Sequence, residues 1–463
     1  MLEKDIEKIP GHTRVQWMLA LLANSTLILY GFEAGWMSPM TRVLQSDISP
    51  VGVVSDNNIS LIASILCMTA TISVTLYTNI ADMYGRKPAM IIATLFIAGS
   101  WITKLSSSSS VGLVVARAFA GVGAGGSFSV VPMYVKEISQ DDIRGLLGSL
   151  LIMTQNIGVL IMYLMGTYLD FYTILWIMCP LPIVTALLMI KASESPPFLV
   201  KKGNIEEAEK TVAFLRGQKV DSEVVQREID VMKNQELYFQ SLPKISLLSI
   251  FRNKKWRRIV VLMLMIMTAH GNNGAFAIIN YGSSTLASCG VQYSISPELQ
   301  SLSFPVVMIF GSLVSMGCVE RFGRKLLLAG CLLLTSIAMG SLACAMLLQS
   351  HGVTTPSWLP VMAMMCTVFG YAAGVSPLPY IMMSEMLNFQ IRAKVMGLMV
   401  TYAWFMTFIQ LSLYKPIVGY FGQHAIFFFF FVVNLLGFLV TLIFLPETKG
   451  KSVEEIEASF KKK

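Results

Sequence analysis

The chain has 463 residues, of which 54% are hydrophobic and only 13% are charged, and its formal net charge is +8. Soluble domains carry about 25% charged residues, so this composition excludes an ordinary soluble enzyme and a free nucleic-acid-binding domain. The basic excess is what the cytoplasmic loops of a membrane protein would supply, because they collect Lys and Arg.

Apolar segments of about 20 residues, long enough to cross a bilayer, occur six times before and six times after a charged stretch. They cover about 15–37, 59–80, 88–106, 110–136, 147–168, 171–191, 258–288, 299–320, 326–349, 358–385, 393–416 and 424–445. We predict an all-α integral membrane protein with twelve transmembrane helices in two pseudo-symmetric six-helix bundles. The predicted parts are an N-terminus over 1–14, a bundle over 15–191, a helical linker over 192–257, a second bundle over 258–445 and a tail over 446–463.

Basic residues gather in the loops on one side of these spans. They are Arg86-Lys87, Lys136 with Arg144, the cluster 252–258, Arg324-Lys325, Arg392 with Lys394, and Lys461–Lys463. That side is expected to be cytoplasmic, together with both termini and the linker. In the linker, Asn204 is expected to cap a helix from Ile205, and a second helix is expected over about 222–233. On the other side, Asn58 begins a glycosylation sequon next to the second span.

Charged residues repeat at matching places in the two halves. An acid and an arginine flank a glycine turn after the second and the eighth spans. An acid then ends the fourth and the tenth spans, with an arginine seven residues later. The eight residues are Asp82, Arg86, Glu137, Arg144, Glu320, Arg324, Glu385 and Arg392. We expect them to pair between spans and to form a cytoplasmic gate whose pairs break on opening. The alternative is that they anchor helix ends in the headgroups.

The fourth span contains a run of small residues. Gly121, Gly123, Gly125 and Gly126 are expected to let neighbouring helices approach closely. The run superficially resembles a nucleotide-binding loop, but it lies inside an apolar span with no preceding strand.

Several motifs together resemble the sugar porter family of the major facilitator superfamily, to which the glucose transporters belong. They are Gly85-Arg86-Lys87, Arg117-x-x-x-Gly121, Pro132–Glu137, Arg144-Gly145, Glu194–Leu199, Gly323-Arg324-Lys325 and Pro446–Gly450. The segments 35–39 and 156–158 look most like the insect facilitated trehalose transporters. The resemblance implies the twelve-helix major facilitator fold and alternating access to a central site.

The family's sugar-binding amides are mostly replaced in this chain. At positions that bind sugar in hexose-carrying members stand Ile152, His270, Gly271, Phe276 and Met308, and the tenth-span tryptophan is Tyr380, while Trp404 is retained. The residues that could rebuild a site are Asn156, His270, Asn273, Phe276, Asn280, Met308, Tyr380 and Trp404. They could form a polyol site of different geometry, or one for a less hydroxylated solute. For the polar residues of the seventh span, the alternative is ordinary helix packing.

Glu33 is the only acid deep in the first span. An ionisable residue there suggests function, and Arg117 is its expected partner. Proton-coupled family members resemble this arrangement, so Glu33 could bind a proton and release Arg117. The alternative is a permanent salt bridge between the two residues.

These features predict a secondary transporter of a sugar, either trehalose or a hexose, that could be coupled to protons. The alternatives are a carrier of a less hydroxylated small organic solute and a transporter-like nutrient sensor. We expect no enzyme activity, no cofactor, no metal site and no nucleic-acid partner. The family resemblance adds the expectation of a monomer in the plasma membrane.

Overall fold

The computed structural model describes residues 13–242, 245–289, 295–451 and 455–456, without the side chains of Asp141, Lys255 and Phe389. The described residues form helices and no strand. These residues form twelve spans that are long and apolar enough to cross a bilayer, in agreement with the prediction. Most of the predicted terminal segments, including Lys461–Lys463, lies outside the described residues.

The spans of the first half are built from seven helices. Helices α1–α7 are Arg14–Leu44, Asp56–Tyr84, Arg86–Ser106, Ser110–Ile138, Asp141–Tyr168, Phe171–Met178 and Pro180–Ile190. The sixth span consists of α6 and α7, which meet where Pro180 cannot donate a backbone hydrogen bond.

The second half is more segmented. Helices α12–α17 are Lys254–Gly271, Ala275–Ser288, Pro297–Ser301, Ser303–Phe322, Arg324–Ser350 and Trp358–Gly370; a π-helical segment, Tyr371–Val375, follows, and then α18–α20 are Leu378–Met386, Phe389–Phe421 and Gln423–Phe444. The seventh span is therefore α12 with α13, and the tenth is α17, the π segment and α18.

Each half is a bundle with its own internal packing. In the first half α4 packs on α2 and α3, and α1 packs on α5; in the second, α16 packs on α20 and α17, and α12 packs on α19. The halves meet where α2 faces α19, α1 faces α13 and α5 faces α15. Residues at these interfaces lie between the two bundles and not against lipid.

The described residues of the linker form four helices. Helices α8–α11 are Pro196–Lys201, Ile205–Arg216, Glu223–Ser241 and Leu247–Arg252. Asn204 stands before α9 as predicted, but its side chain makes no capping hydrogen bond. Helix α10 extends eight residues past the predicted end at 233, because no Gly or Pro interrupts it there. Arg216 ties α9 to the first bundle by donating to the carbonyl of Ile138 at 3.0 Å, while pairing with Glu228 at 2.6 Å.

The glycines of α4 lie where neighbouring helices approach closely, as the sequence predicts. A Cβ added at Gly121 would lie 2.1 Å from the carbonyl oxygen of Leu66 in α2. One added at Gly123 would lie 2.7 Å from the carbonyl oxygen of Ala93 in α3. Real Cβ atoms do not approach backbone this closely, so these positions require glycine.

We expect Gly121→Ala to lower the thermal unfolding midpoint of the purified protein, since overpacking typically costs about 1–3 kcal/mol. Gly148→Ala in α5 is the control, because an added Cβ there meets nothing within 4 Å. The control should match or exceed wild type, as alanine favours helix. Equal midpoints for Gly121→Ala and wild type would contradict the close approach.

Candidate functional site

Two spans of the second half are interrupted near the middle of the bundle. The seventh span breaks between α12 and α13, where Gly274 has a φ of +100° in the left-handed region. The tenth span passes through the π segment and reaches Pro377 before α18 begins. Interrupted spans leave backbone groups without helical partners, which membrane proteins tolerate only inside protein or beside a cavity. These breaks mark the candidate site.

His270 connects the two interrupted spans. Its Nδ1 lies 2.9 Å from the carbonyl oxygen of Val375 in the π segment. A carbonyl only accepts, so Nδ1 carries the proton and, in the neutral ring, Nε2 is left as an acceptor. The rings of Tyr371 and Tyr380 each lie 5.7 Å from the imidazole, centroid to centroid. His270 is thus held by its backbone bond and framed by two aromatic side chains.

Trp404 in α19 stands at the centre of an aromatic cluster that spans both halves. Its ring centroid lies 5.9 Å from that of Tyr30, 5.5 Å from that of Phe128 and 6.4 Å from that of Phe276. Tyr30 and Phe128 belong to the first half and were missing from the predicted site. Flat aromatic faces at the junction of two halves are suited to stacking on a ring-shaped solute.

Three predicted amides occupy different environments. Asn156 in α5 donates to the Ser312 hydroxyl in α15 at 3.1 Å and so joins the two halves. Asn280 donates to the carbonyl of Phe276 in its own helix. Asn273 faces α20, where it exchanges hydrogen bonds with Asn434. Its amide nitrogen therefore serves packing within the second half, which is the alternative considered for this residue.

Buried acceptors remain among these amides. The Oδ1 atoms of Asn156, Asn273 and Asn280 are buried and have no hydrogen-bond partner among the described residues. Buried polar atoms are nearly always paired, so such acceptors are candidates for ligand hydroxyls. Ile152 is half-buried and Met308 is 1% exposed, which makes the family's amide positions apolar here.

The predicted gate residues form the same network twice. Arg86 pairs with Glu137 at 2.8 Å and with Asp82 at 3.7 Å. In the second half, Arg324 pairs with Glu385 at 3.0 Å and with Glu320 at 2.8 Å. Each of these pairs joins two different spans, as the sequence predicts, and both spans belong to the same half. That the pairs break on opening stays a prediction. We call the side of the molecule on which the linker lies the linker face. In this conformation the pairs brace the end of each bundle at that face.

The two arginines that follow these acids bind carbonyl groups at helix ends. Arg144 donates to the carbonyls of Lys136 and Ser139 at 3.2 and 3.0 Å. Arg392 donates to the carbonyl of Leu387 through two nitrogens. Cations are favourable at helix C-termini, where carbonyls lack helical partners.

Two capping carboxylates complete the network; both lie in the family motifs, but the sequence did not predict their capping role. Glu194 accepts from the backbone amides of Arg86 and Lys87 at the start of α3, and Glu447 accepts from those of Arg324 and Lys325 at the start of α16. Burial raises the pKa of Glu194. Burial acts in the same direction on Glu447, but its hydrogen bonds from four backbone amides outweigh it and lower the pKa of that carboxyl.

These opposite pKa directions predict that the two carboxyls contribute differently to stability at neutral pH. A carboxyl whose pKa is lowered by folding stabilises the fold when ionised, and this is lost as pH falls through its folded pKa. A carboxyl whose pKa is raised gives no such gain at neutral pH. We therefore expect Glu447→Gln to lower the unfolding midpoint at pH 7, with a difference from wild type that shrinks in acid. The matched variant Glu194→Gln should lower the midpoint less at pH 7, and the reverse order would contradict the assignment.

Glu33 is completely buried and has more partners than predicted. Arg117 lies 3.3 Å from its Oε2, as expected, but Lys104 lies closer, at 2.5 Å from the same oxygen. Ser100 donates to Oε1 at 2.8 Å. The sequence pointed to Arg117 alone, because Lys104 lies near the end of a span and there resembles an interfacial anchor.

Polar contacts join the halves between the bilayer centre and the face opposite the linker. The hydroxyl of Ser283 donates to the carbonyl of Ser38 at 2.7 Å, and Tyr163 donates to that of Ile279 at 2.7 Å. Asp56 and Lys415 form an ion pair at 2.8 Å further out. The opposite face is therefore closed in this conformation.

Asn58 lies in the first turn of α2 with its side chain exposed. Ser60, the third residue of its sequon, is buried and donates to the carbonyls of Leu411 and Ser412 in the other half. Glycosylation of Asn58 remains a prediction.

Two bundles of spans, paired charge networks and interrupted helices at the centre together define a membrane transporter of the alternating-access type. The family model described as "Sugar (and other) transporter" matches residues 19–460. The chain belongs to this sugar transporter family, whose members are transporters and not enzymes.

Curated relatives and solved structures agree with this assignment. The facilitated trehalose transporter Tret1 of Bombyx mori is 28% identical over 92% of this chain and 83% of its own length. Tret1 of Apis mellifera ligustica is 25% identical over 99% and 90%. The inward-open xylose transporter XylE of E. coli superposes with a TM-score of 0.78 at 20% identity, over 96% of this chain and 99% of its own. This likeness shows that the chain has the major facilitator fold.

Proposed function

We propose that the chain carries a sugar, either trehalose or a hexose, across the membrane by alternating access. The observation that carries the proposal is the aromatic cluster around Trp404, which is contributed by both halves and lies beside buried amide acceptors. Sugar hydroxyls that leave water need new partners, because each unsatisfied one costs about 1–3 kcal/mol. The Oδ1 atoms of Asn156 and Asn280 and the Nε2 of His270 are acceptors suited to them.

The contacts between the halves suggest how access alternates. The polar contacts near the opposite face are few and individually weak, so they can break, whereas each half is braced internally by its charge network. A rocking motion of the two halves would open the opposite face and close the linker face. The aromatic cluster would then be reached from each side in turn.

The sidedness follows from the charge distribution. The linker face carries most loop lysines and arginines, which supports a cytoplasmic linker with both termini on the same side. The division into bundles over 15–191 and 258–445 with a linker over 192–257, the plasma membrane and the monomeric state belong to the same proposal.

A less hydroxylated solute is the second candidate, and a specific feature favours it. Phe276 and Met308 are apolar, and they stand at positions where the family resemblance implies amides in hexose-carrying members. Uptake measured with trehalose, glucose and a less hydroxylated analogue in parallel would separate the two.

Purified protein in proteoliposomes should take up labelled trehalose or glucose saturably. An aromatic contact contributes about 0.5–1.5 kcal/mol beyond burial, so Trp404→Ala should slow this uptake by about 2- to 13-fold. Trp358→Ala is the matched control, because that tryptophan is 62% exposed at the start of α17. Equal loss in both variants, or no loss in Trp404→Ala, would remove Trp404 from the site.

A further inference from the structure

Lys104 is buried at a place where lysine ordinarily reaches water. It lies two residues before the end of α3, at the face opposite the linker, where a long side chain can extend to the interface. It is instead completely buried, with its Nζ 2.5 Å from Glu33 Oε2. The same nitrogen lies 3.7 Å from the ring centroid of Trp101 and 4.8 Å from that of Trp36. A carboxylate and two aromatic faces thus surround the ammonium group.

The carboxylate of Glu33 is saturated by these partners. Oε1 accepts from Ser100, and Oε2 accepts from Lys104 and lies 3.3 Å from Arg117. Arg117 also donates to two backbone carbonyls, that of Glu33 at 2.6 Å and that of Ile62 in α2 at 3.1 Å. Adding a proton to Glu33 would leave two buried cations facing a neutral acid.

The other groups near this cluster do not balance the charge. Tyr30 of α1, Cys67 of α2 and Tyr281 of α13 are titratable neighbours of Arg117, and all three are neutral in their protonated forms. From the sixth span, Phe171 packs on Trp36. The cluster therefore contains one anion and two cations, and nearby cations favour the ionised form of a carboxyl.

We propose that Lys104 takes the place that a transported proton would occupy on Glu33, so that Glu33 stays ionised and the sugar moves down its own gradient. The inference rests on the proposed sugar transport. A carboxyl that couples transport to protons must alternate between its charged and neutral forms during the cycle. Here a covalently attached cation moves with the first half and cannot be released to either side.

The first test is sugar accumulation in proteoliposomes under an inward proton gradient. Wild type should bring labelled sugar only to equal concentrations inside and outside, with or without the gradient. Lys104→Met leaves Arg117 as the one cation paired with Glu33 among the described residues and should accumulate sugar above equal concentrations when the gradient is applied. The control is Lys210→Met, which removes a lysine from the exposed pair with Glu206 and should behave as wild type.

Two outcomes of this test would overturn the inference. One is gradient-driven accumulation by wild type, and the other is active Lys104→Met that remains indifferent to the gradient. If wild type takes up neither trehalose nor glucose, the proposed transport of these sugars fails separately. The charge assignment is then judged by stability.

The second test is a comparison of unfolding midpoints, which needs neither transport nor a folded Lys104→Met protein. Glu33→Gln should lower the midpoint, because it leaves two buried cations without a carboxylate. Glu33→Gln combined with Lys104→Met should recover part of that loss, since one cation goes with it. A double variant less stable than Glu33→Gln would show that Lys104 is not the counterion of Glu33.

Discussion

A bilayer offers no water to a buried charge or to an unpaired backbone group, and the organisation of this protein depends on that constraint. Glu33 is held inside the first bundle by Ser100, Lys104 and Arg117 together. The same rule acts at the linker face, where Arg86 and Arg324 each gather carboxylates at corresponding helix ends. The charged side chains of these clusters find their partners within their own half, so each bundle can move as a unit without breaking these ion pairs.

The same rule is relaxed at the proposed site. The seventh and tenth spans are interrupted, and His270 bonds the end of one to the π segment of the other. Buried acceptors on Asn156 and Asn280 lack protein partners in the described structure. A solute rich in hydroxyl donors would satisfy these acceptors while stacking on the rings around Trp404. Asn156 and Asn280 lie on α5 and α13, two helices that meet the other half, and α13 belongs to one of the interrupted spans.

The sequence predicts the spans, the two halves and the paired charges because hydrophobic length and repeated spacing are local signals. It does not reveal Lys104 as a partner of Glu33, since a lysine near a span end ordinarily reaches the interface. The sequence does not reveal the capping role of Glu194 and Glu447 either, because they cap helices that begin 108 and 123 residues away. Tyr30 and Phe128 are ordinary apolar residues in the sequence and join the site only when the two halves meet. Asn273 was predicted in the site as part of the polar stripe of the seventh span; its Nδ2 donates to Asn434, and its place in the site stays a prediction.

Counterflow tests alternating access to the central site most directly. Proteoliposomes loaded with unlabelled trehalose are diluted into a trace of labelled trehalose, and the labelled sugar inside is followed over time. In a carrier whose site faces one side at a time, unlabelled trehalose leaves on the site as it turns outward, and labelled trehalose enters as it turns back. The label inside should therefore rise above its final equilibrium level and then fall. A slow, monotonic rise to equilibrium, or no entry from folded protein, would contradict transport of trehalose by alternating access.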